Sequence, residues 1–419
     1  MRFSQLFGRT LRDNPAEAEL TSHRLLQRAG FIKPLASGIY TQMPLGWRVS
    51  KKIINIFRYE MDALDGQEML MPIINPAEIW KETGRWQSVG PELVRWQDRN
   101  EREMALAMTH EETFTDILKS ELESYRQLPL LVYHIQTKVR DEPRPRGGLI
   151  RVREFIMKDA YSVHADQTDI DRFYPDMLQA YRNIYETCGV EVVEVQADSG
   201  MMGGSGSHEF MVLSDSGEDS VFISSDGKYF ANAERAEFDK GLPPTEELAE
   251  LEEVHTPNCK TIAEVARFLG VPQTKTVKAV FYIAQNKTED FIFVVIRGDL
   301  PVNEVKLGNA LGGLNFRDAT EEEIEAVGAV PGYASPIGLK KDLGRGRKII
   351  IVADDSAVNF PNLVGGANKV DYHLKNTNAG KDYEPDIVAD IALAQAGDKC
   401  TDSDAVLQLH RGIEVGHCF

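Results

Sequence analysis

The sequence predicts an α+β protein in which an antiparallel sheet is flanked by helices and an α/β unit is inserted toward the C-terminal side. Three observations carry that expectation. Residues 133–142 and 151–161 alternate with a period of two about a Pro/Arg/Gly turn, the pattern of a β-hairpin. Apolar stripes at helical spacing lie on either side of it, over 47–64 and 170–185. After about residue 224 the composition changes, and a separate run of strands and helices begins.

In chain order, 16–28 reads as a helix ended near Gly30, and 47–64 as an amphipathic helix with Val49, Ile53, Ile56, Phe57 and Met61 on one side. In the hairpin, Tyr133, Ile135, Thr137 and Val139 alternate with His134, Gln136, Lys138, Arg140 and Glu142, so one face is wholly polar and needs a ligand or water. The return strand puts Arg151, Arg153, Phe155, Met157, Asp159 and Tyr161 on one face. Ile170, Phe173, Tyr174, Met177, Leu178, Tyr181, Ile184 and Tyr185 make a helical stripe despite Pro175, and strands are expected over 190–196 and 209–213. Residues 236–257, with Leu-Pro-Pro and the acidic run 245–254, read as a linker and short helix into the second unit. That unit follows as a helix over 261–269, strands over 276–284 and 291–297, a helix after Pro301 and a strand over 348–352.

The hairpin carries the chemistry. Arg140 offers a fixed fork of donors suited to a phosphate that gains charge during displacement, where each preorganised donor is worth roughly 10²- to 10³-fold in rate. Glu142 can accept from an exocyclic amine, and Phe155 offers a ring on which a purine stacks for ~1 to 3 kcal/mol. A solvated ribbon with cross-strand ion pairs fits any one of these residues alone.

Composition excludes several classes. With 419 residues, 42% hydrophobic and 27% charged, the chain is neither disordered nor fibrous and should form at least two domains. No apolar run approaches the ~20 residues of a membrane span, and residues 1–9 are too short and interrupted for a signal peptide, so the cytoplasm is the expected location. Cys188, Cys259, Cys400 and Cys418 are scattered without a Cys-x-x-Cys pair, which argues against a zinc site and a disulfide framework. The net charge of −18 opposes broad contact with nucleic acid, yet Lys138, Arg140, Arg144, Arg146, Arg151 and Arg153 crowd against only Asp141 and Glu142.

The segment Arg140-Asp141-Glu142, the Pro/Arg/Gly loop and Arg151-Val152-Arg153-Glu154-Phe155 resemble motif 2 of class II aminoacyl-tRNA synthetases. Leu70-Met71-Pro72 after a long amphipathic helix resembles motif 1, and Thr109-His110-Glu111 resembles the loop that grips the substrate amine. With Lys158-Asp159-Ala160-Tyr161-Ser162, residues 203–210 and the closing 412–417, the chain resembles the bacterial-type prolyl-tRNA synthetases from first residue to last. The resemblance implies that Arg140 meets the proline carboxylate and the α-phosphate of ATP, with Glu142, Ile150, Arg151 and Phe155 completing the ATP site. It implies that Thr109 and Glu111 bind the imino nitrogen, and that Met157, Asp159 and Tyr161 wall the proline ring. Gly203 and Gly204 fall in the family's proline-binding loop, and Arg144 and Arg146 would reach the acceptor stem of tRNA(Pro). Mg²⁺ would accompany the ATP through phosphate oxygens and water. The helix and strand of motif 1 imply a homodimer. Taken alone, Thr109 also fits a helix N-cap with Glu112 completing a capping box, and Met157 or Tyr161 fits an ordinary core position.

The second unit resembles the insertion domain with which these synthetases hydrolyse mischarged alanyl-tRNA. The residues that carry this are 275–278, 297–299 with 303–306, 332–336, and Gly366-Ala367-Asn368 with His373. A second site has a physical reason, because a pocket rejects a ligand smaller by a methylene or so by only ~1 to 3 kcal/mol. The resemblance implies that Lys278 holds the tRNA terminus, that His373 lies by the alanyl ester, and that the loop from Gly332 to Pro336 shapes a pocket for a methyl group. Alone, Lys278 fits a solvated strand end and His373 a satisfied surface histidine.

The resulting division is a catalytic domain over 1–223, an editing domain over 224–404 and a return strand over 405–419. No text matching motif 3 or an anticodon-binding domain follows, so the chain is expected to be truncated. Gly344-Arg345-Gly346-Arg347 imitates motif 3 but reads as a turn before a strand. Two functions fit: a proline–tRNA ligase with synthetic and editing sites, or a non-ligating tRNA-handling protein whose remaining activity is ester hydrolysis or binding.

Overall fold

The computed structural model describes residues 2–198, 206–344 and 346–419. Two compact units emerge, Met1–Val192 with Cys418 and Val193–His417 with Phe419.

In the first unit the expected hairpin forms between Leu130–Val139 and Glu154–Val163, with His134 opposite Asp159, Gln136 opposite Met157 and Lys138 opposite Phe155. Opposed residues share a face, so the polar row and the Phe155, Met157, Asp159, Tyr161 row lie together. Gln67–Glu68 adds a short parallel strand, and two small antiparallel sheets complete the unit. The helix Pro44–Ala63 opens on proline, which supplies a preset φ where no amide partner is needed. Of its expected apolar stripe only Met61 is fully buried, while Trp47, Val49 and Ile53 are exposed. The first helix is shorter than expected, Thr21–Arg28, because the Ala18 amide closes a turn on the Pro15 carbonyl and Leu20 is extended. Gln167–Cys188 is capped by Asp166 and stopped by Gly189 at φ 70°, and it accommodates Pro175 while burying Tyr181, Ile184 and Tyr185.

In the second unit Val193–Ala197, Ser207–Leu213, Asp219–Ser224, Phe230–Asn232 and Leu407–Cys418 close a barrel. The last strand pairs with Asp219–Ser224, Val221 facing His410, and so returns to strands 183 or more residues earlier. Between them a mixed sheet is built on Val277–Ala284, Phe291–Arg297 and Arg347–Asp354, of which the middle strand is buried at every position. That burial explains its unbroken apolar text. A three-stranded sheet joins Glu252–His255, Tyr372–Thr377 and Leu363–Gly366. Phe222, Ala231 and Leu407 pack in one core with Tyr282, Ile292 and Val352.

The acidic run 245–254 is not helical, contrary to expectation. Its carboxylates are drawn apart to separate lysines, Glu246 to Lys275 at 2.6 Å, Glu250 to Lys381 at 3.2 Å and Glu253 to Lys369 at 2.8 Å, and the run ends as a strand. Among the described residues no helix is long and apolar enough to cross a membrane.

Candidate functional site

The Arg140 guanidinium lies 5.3 Å from the centroid of the Phe155 ring, on the hairpin face that also carries Met157, Asp159 and Tyr161. The ladder extends one step past the strand, the Arg140 amide donating to the Arg153 carbonyl at 2.9 Å, and this fixes the guanidinium's origin. A second contact reaches the Met108 carbonyl at 3.5 Å. The loop of Thr109 and Glu111 thus stands beside the hairpin, as the Val139 amide also donates to Ala107 at 3.1 Å.

Thr109 is buried and its hydroxyl donates to Glu111 Oε2 at 2.5 Å. It is not a helix cap. The helix Glu111–Glu121 has His110 as N-cap with no side-chain bond, and Glu112 is turned away to Arg85 at 2.8 Å. Tyr161 stacks on Phe114, ring centroids 4.7 Å apart and 14° from parallel.

Two residues of the polar row expected to need a ligand or water, His134 and Lys138, are instead sealed by protein. Lys138 and His134 are fully buried, and Asp159 Oδ2 accepts from His134 Nε2 at 2.9 Å and pairs with the Lys138 ammonium, which also meets His110. Burial raises the Asp159 carboxyl, but the His134 hydrogen bond and the Lys138 charge outweigh it and hold the group at about 2. Burial, helped by the Lys138 charge, pushes His110 down to about 4. Burial also lowers Lys138. Sequence reasoning placed Asp159 at the site without its partners. The signal was the pairing of positions 134 and 159, which becomes readable only once the register is fixed.

At the hairpin tip Glu142 Oε2 accepts from Arg151 Nε at 2.7 Å and its other oxygen from the Arg144 amide at 3.0 Å. The carboxylate expected at an adenine edge is therefore held across the turn. Arg144, Arg146 and Ile150 are exposed there, with Arg146 and Arg151 bridged by paired backbone bonds. Gly203 and Gly204 lie outside the described residues.

The second unit brings together all four of its expected residues. Lys278, Gly332 and His373 line one cavity of about 110 Å³, with Lys260, Thr276, Tyr333 and Gly366. Pro336 lines an adjoining smaller one with Lys278, Ala334, Thr377 and Tyr383. His373 is buried rather than a surface group, its Nδ1 2.6 Å from the Thr256 hydroxyl and its ring 5.5 Å from that of Tyr333. Burial lowers its pKa, so it is neutral near pH 7. Burial likewise lowers Lys278. The loop at 332–336 turns on Gly332 at φ 81° and presses against Gly366, where a Cβ would meet the Tyr333 carbonyl oxygen at 2.2 Å. Thr256 and Lys260 were missed: each is an ordinary residue in the sequence, and only the fold brings them to His373, whereas Tyr333 lies in the expected loop 332–336. A neutral imidazole, a half-buried amine and small backbone-lined walls can position an ester and a water for hydrolysis.

Residues 94–276 match the class II tRNA synthetase core domain for glycine, histidine, proline, serine and threonine, and 256–383 match the aminoacyl-tRNA editing domain. The chain is 50% identical to a proline–tRNA ligase of Dehalococcoides mccartyi strain CBDB1 over 419 residues, all of this chain and 72% of that protein. It is 49% identical to the proline–tRNA ligase of Fusobacterium nucleatum, again over all of this chain and 72% of the relative. A more distant likeness is the crystal structure of a prolyl-tRNA synthetase from Cryptosporidium parvum complexed with halofuginone and AMPPNP. It is 20% identical, with a TM-score of 0.42, over 45% of this chain and 39% of that one.

Proposed function

Because the chain belongs to the family of proline–tRNA ligases, class II synthetases that use ATP to join proline to tRNA, we propose the following division of labour among its residues. Residues 1–223 and the return strand 405–419 form the synthetic domain, and 224–404 form the editing domain that hydrolyses alanyl-tRNA(Pro). Pairing of Leu407–Cys418 with Asp219–Ser224 supports that scheme, since the chain must leave and re-enter one barrel.

In the synthetic domain Arg140 neutralises the α-phosphate as the proline carboxylate attacks it and pyrophosphate leaves. No side-chain nucleophile is needed, and alignment of the two reactants can contribute ~7 to 11 kcal/mol. Thr109 and Glu111 hold the imino nitrogen, and Met157, Asp159 and Tyr161 bound the ring. Arg140 lies over the Phe155 face, so the guanidinium and the ring can meet the phosphate and the purine of one nucleotide. Glu142, Ile150 and Arg151 border the base, while Arg144 and Arg146 meet the acceptor stem. Mg²⁺ would accompany the ATP, held through its phosphate oxygens and water. The exposed Trp47, Val49 and Ile53 on the helix Pro44–Ala63 support a homodimer through motif 1. As a translation enzyme the protein acts in the cytoplasm.

The observation that carries this reading is Arg140 and Phe155 on one hairpin face, 5.3 Å apart. Proline-dependent exchange of pyrophosphate into ATP tests it. Arg140→Ala should cut the exchange rate by about 10²- to 10³-fold. Exchange that is absent from the unsubstituted chain while alanine is still released from alanyl-tRNA would favour the non-ligating alternative.

A further inference from the structure

We infer that Lys260 is a second cation at the mouth of the insertion cavity, and that it grips a phosphate near the 3′ end of the tRNA opposite Lys278. The inference rests on the editing reading of that cavity and adds to it a positioning residue for the nucleic-acid portion of the substrate.

Lys260 lines the cavity together with Lys278 and His373 but belongs to a different element. It immediately precedes Thr261, the N-cap of the helix Ile262–Leu269. Its backbone is fixed there, because Glu264 Oε2 accepts from the amides of Lys260 and Thr261 at 3.0 and 2.9 Å. The aliphatic stem lies over the bare face of Gly332, where a Cβ would stand 3.5 Å from both Lys260 Cβ and Cγ. Backbone and stem are thus held while the residue itself remains exposed.

The surroundings show what the ammonium is available for. Lys275, Lys341, Lys369, Lys375 and Lys381 of the same unit each lie within 3.2 Å of a carboxylate oxygen. Among the described residues no carboxylate makes an ion pair with Lys260. Asp371 is close enough to feel its charge, but Asp371 Oδ1 already accepts from the Tyr333 hydroxyl and the Asn258 amide, each at 2.8 Å. A protein of net charge −18 that admits a polyanion to a cavity needs cations where the strand enters. The aminoacyl ester sits on the terminal ribose. Once that ester reaches His373, the phosphates that follow must pass the rim. A lysine is suited to this, since a point charge on a flexible stem tracks a phosphate without demanding a fixed bidentate geometry.

The test is single-turnover deacylation of alanyl-tRNA by the full chain, by Lys260→Ala and by Lys260→Arg across a salt series, alongside 3′-O-alanyl-adenosine, which carries no phosphate. Lys260→Ala should raise the half-saturating tRNA concentration about 3- to 10-fold with little change in the saturated rate, and make the log–log salt dependence shallower by about one. Lys260→Arg should restore both, and the phosphate-free ester should be hydrolysed equally by all three. An unchanged tRNA dependence in Lys260→Ala overturns the assignment, as does an equal loss on alanyl-adenosine, which would mark a structural or catalytic role. Failure of the unsubstituted chain to hydrolyse either ester sinks the editing reading itself, and the Lys260 assignment with it.

Discussion

Asp159 and His134 face each other across the hairpin, Oδ2 accepting from Nε2 at 2.9 Å, and this pair anchors the fully buried Lys138. The Lys138 ammonium has Asp159 as its counter-charge and the imidazoles of His134 and His110 as neighbours. Removing one member of a buried pair leaves the other desolvated and uncompensated, which costs about 3–5 kcal/mol. Asp159→Asn should therefore destabilise the first unit by about that amount, and Lys138→Met in the same chain should recover part of it. Denaturant unfolding followed by a probe in the first unit measures both. The Asp159 carboxyl titrates at about 2, below its unfolded value, so its contribution is present above the unfolded pKa and lost as pH falls toward 2. Asp159→Asn should lack that acid limb.

Such a network marks the limit of what the text alone reveals. Alternation over 133–142 and 151–161 gave the faces, because a period of two is a local property, and Phe155, Met157 and Asp159 do lie together. What His134 and Lys138 do on that face depends on register, since each is satisfied only by a residue on the other strand. The acidic run failed for a related reason: its helix propensity was local, whereas Lys275, Lys369 and Lys381, which draw its glutamates apart, are remote in sequence. In the insertion, Lys278, Gly332, Pro336 and His373 were expected from the resemblance alone. Thr256 was not, being 117 residues from the histidine it touches.

The barrel carries an alkaline-sensitive carboxyl. Burial, with the nearby Glu414 charge adding to it, pushes Glu209 up to about 8, and the Asn232 amide at 3.3 Å only partly offsets this. His417 approaches to 3.7 Å, but burial lowers it to about 4, so it brings no positive charge at neutral pH. A raised folded pKa means stability fully present below the unfolded value and lost as pH rises through about 8. Glu209→Gln should match the unsubstituted chain at about pH 4, below the unfolded carboxylate value, and exceed it in melting temperature by a margin that grows up to about pH 8. A pH series of thermal melts decides; equal alkaline losses would show that another group is responsible.

Gly366 tests the walls of the insertion cavity. Its φ is ordinary for any residue, but a Cβ would meet the carbonyl oxygens of Tyr333 and Ala334 at 2.2 and 2.3 Å. Both are backbone atoms that cannot swing aside, so Gly366→Ala must displace the loop turning on Gly332. Alanyl-tRNA hydrolysis should fall at least about tenfold, as expected for a small misplacement of a positioned ester. Proline-dependent pyrophosphate exchange should stay within twofold. Loss of both activities together would mean that the substitution unfolds more than the cavity.

Thr256 gives the sharpest test of how His373 is held. Its hydroxyl is fully buried, and at 2.6 Å from Nδ1 it fixes the ring's orientation while leaving Nε2 as the nitrogen free of that bond. Replacement by valine keeps the volume and removes the bond, leaving a buried ring nitrogen without its partner at a cost of about 1–3 kcal/mol. If His373 acts on the ester or its water, Thr256→Val should lower the saturated rate of alanyl-tRNA hydrolysis more than it raises the half-saturating concentration, because the lost bond orients the reacting group rather than the nucleic acid. Burial holds the imidazole neutral by lowering its pKa, so wild-type hydrolysis should decline only when pH falls below the usual histidine range. Thr256→Ser keeps a hydroxyl in reach and should recover most of the rate. A serine variant as slow as the valine variant would assign the loss to the missing methyl group, and the ring would then be held by packing against Tyr333 rather than by the hydroxyl.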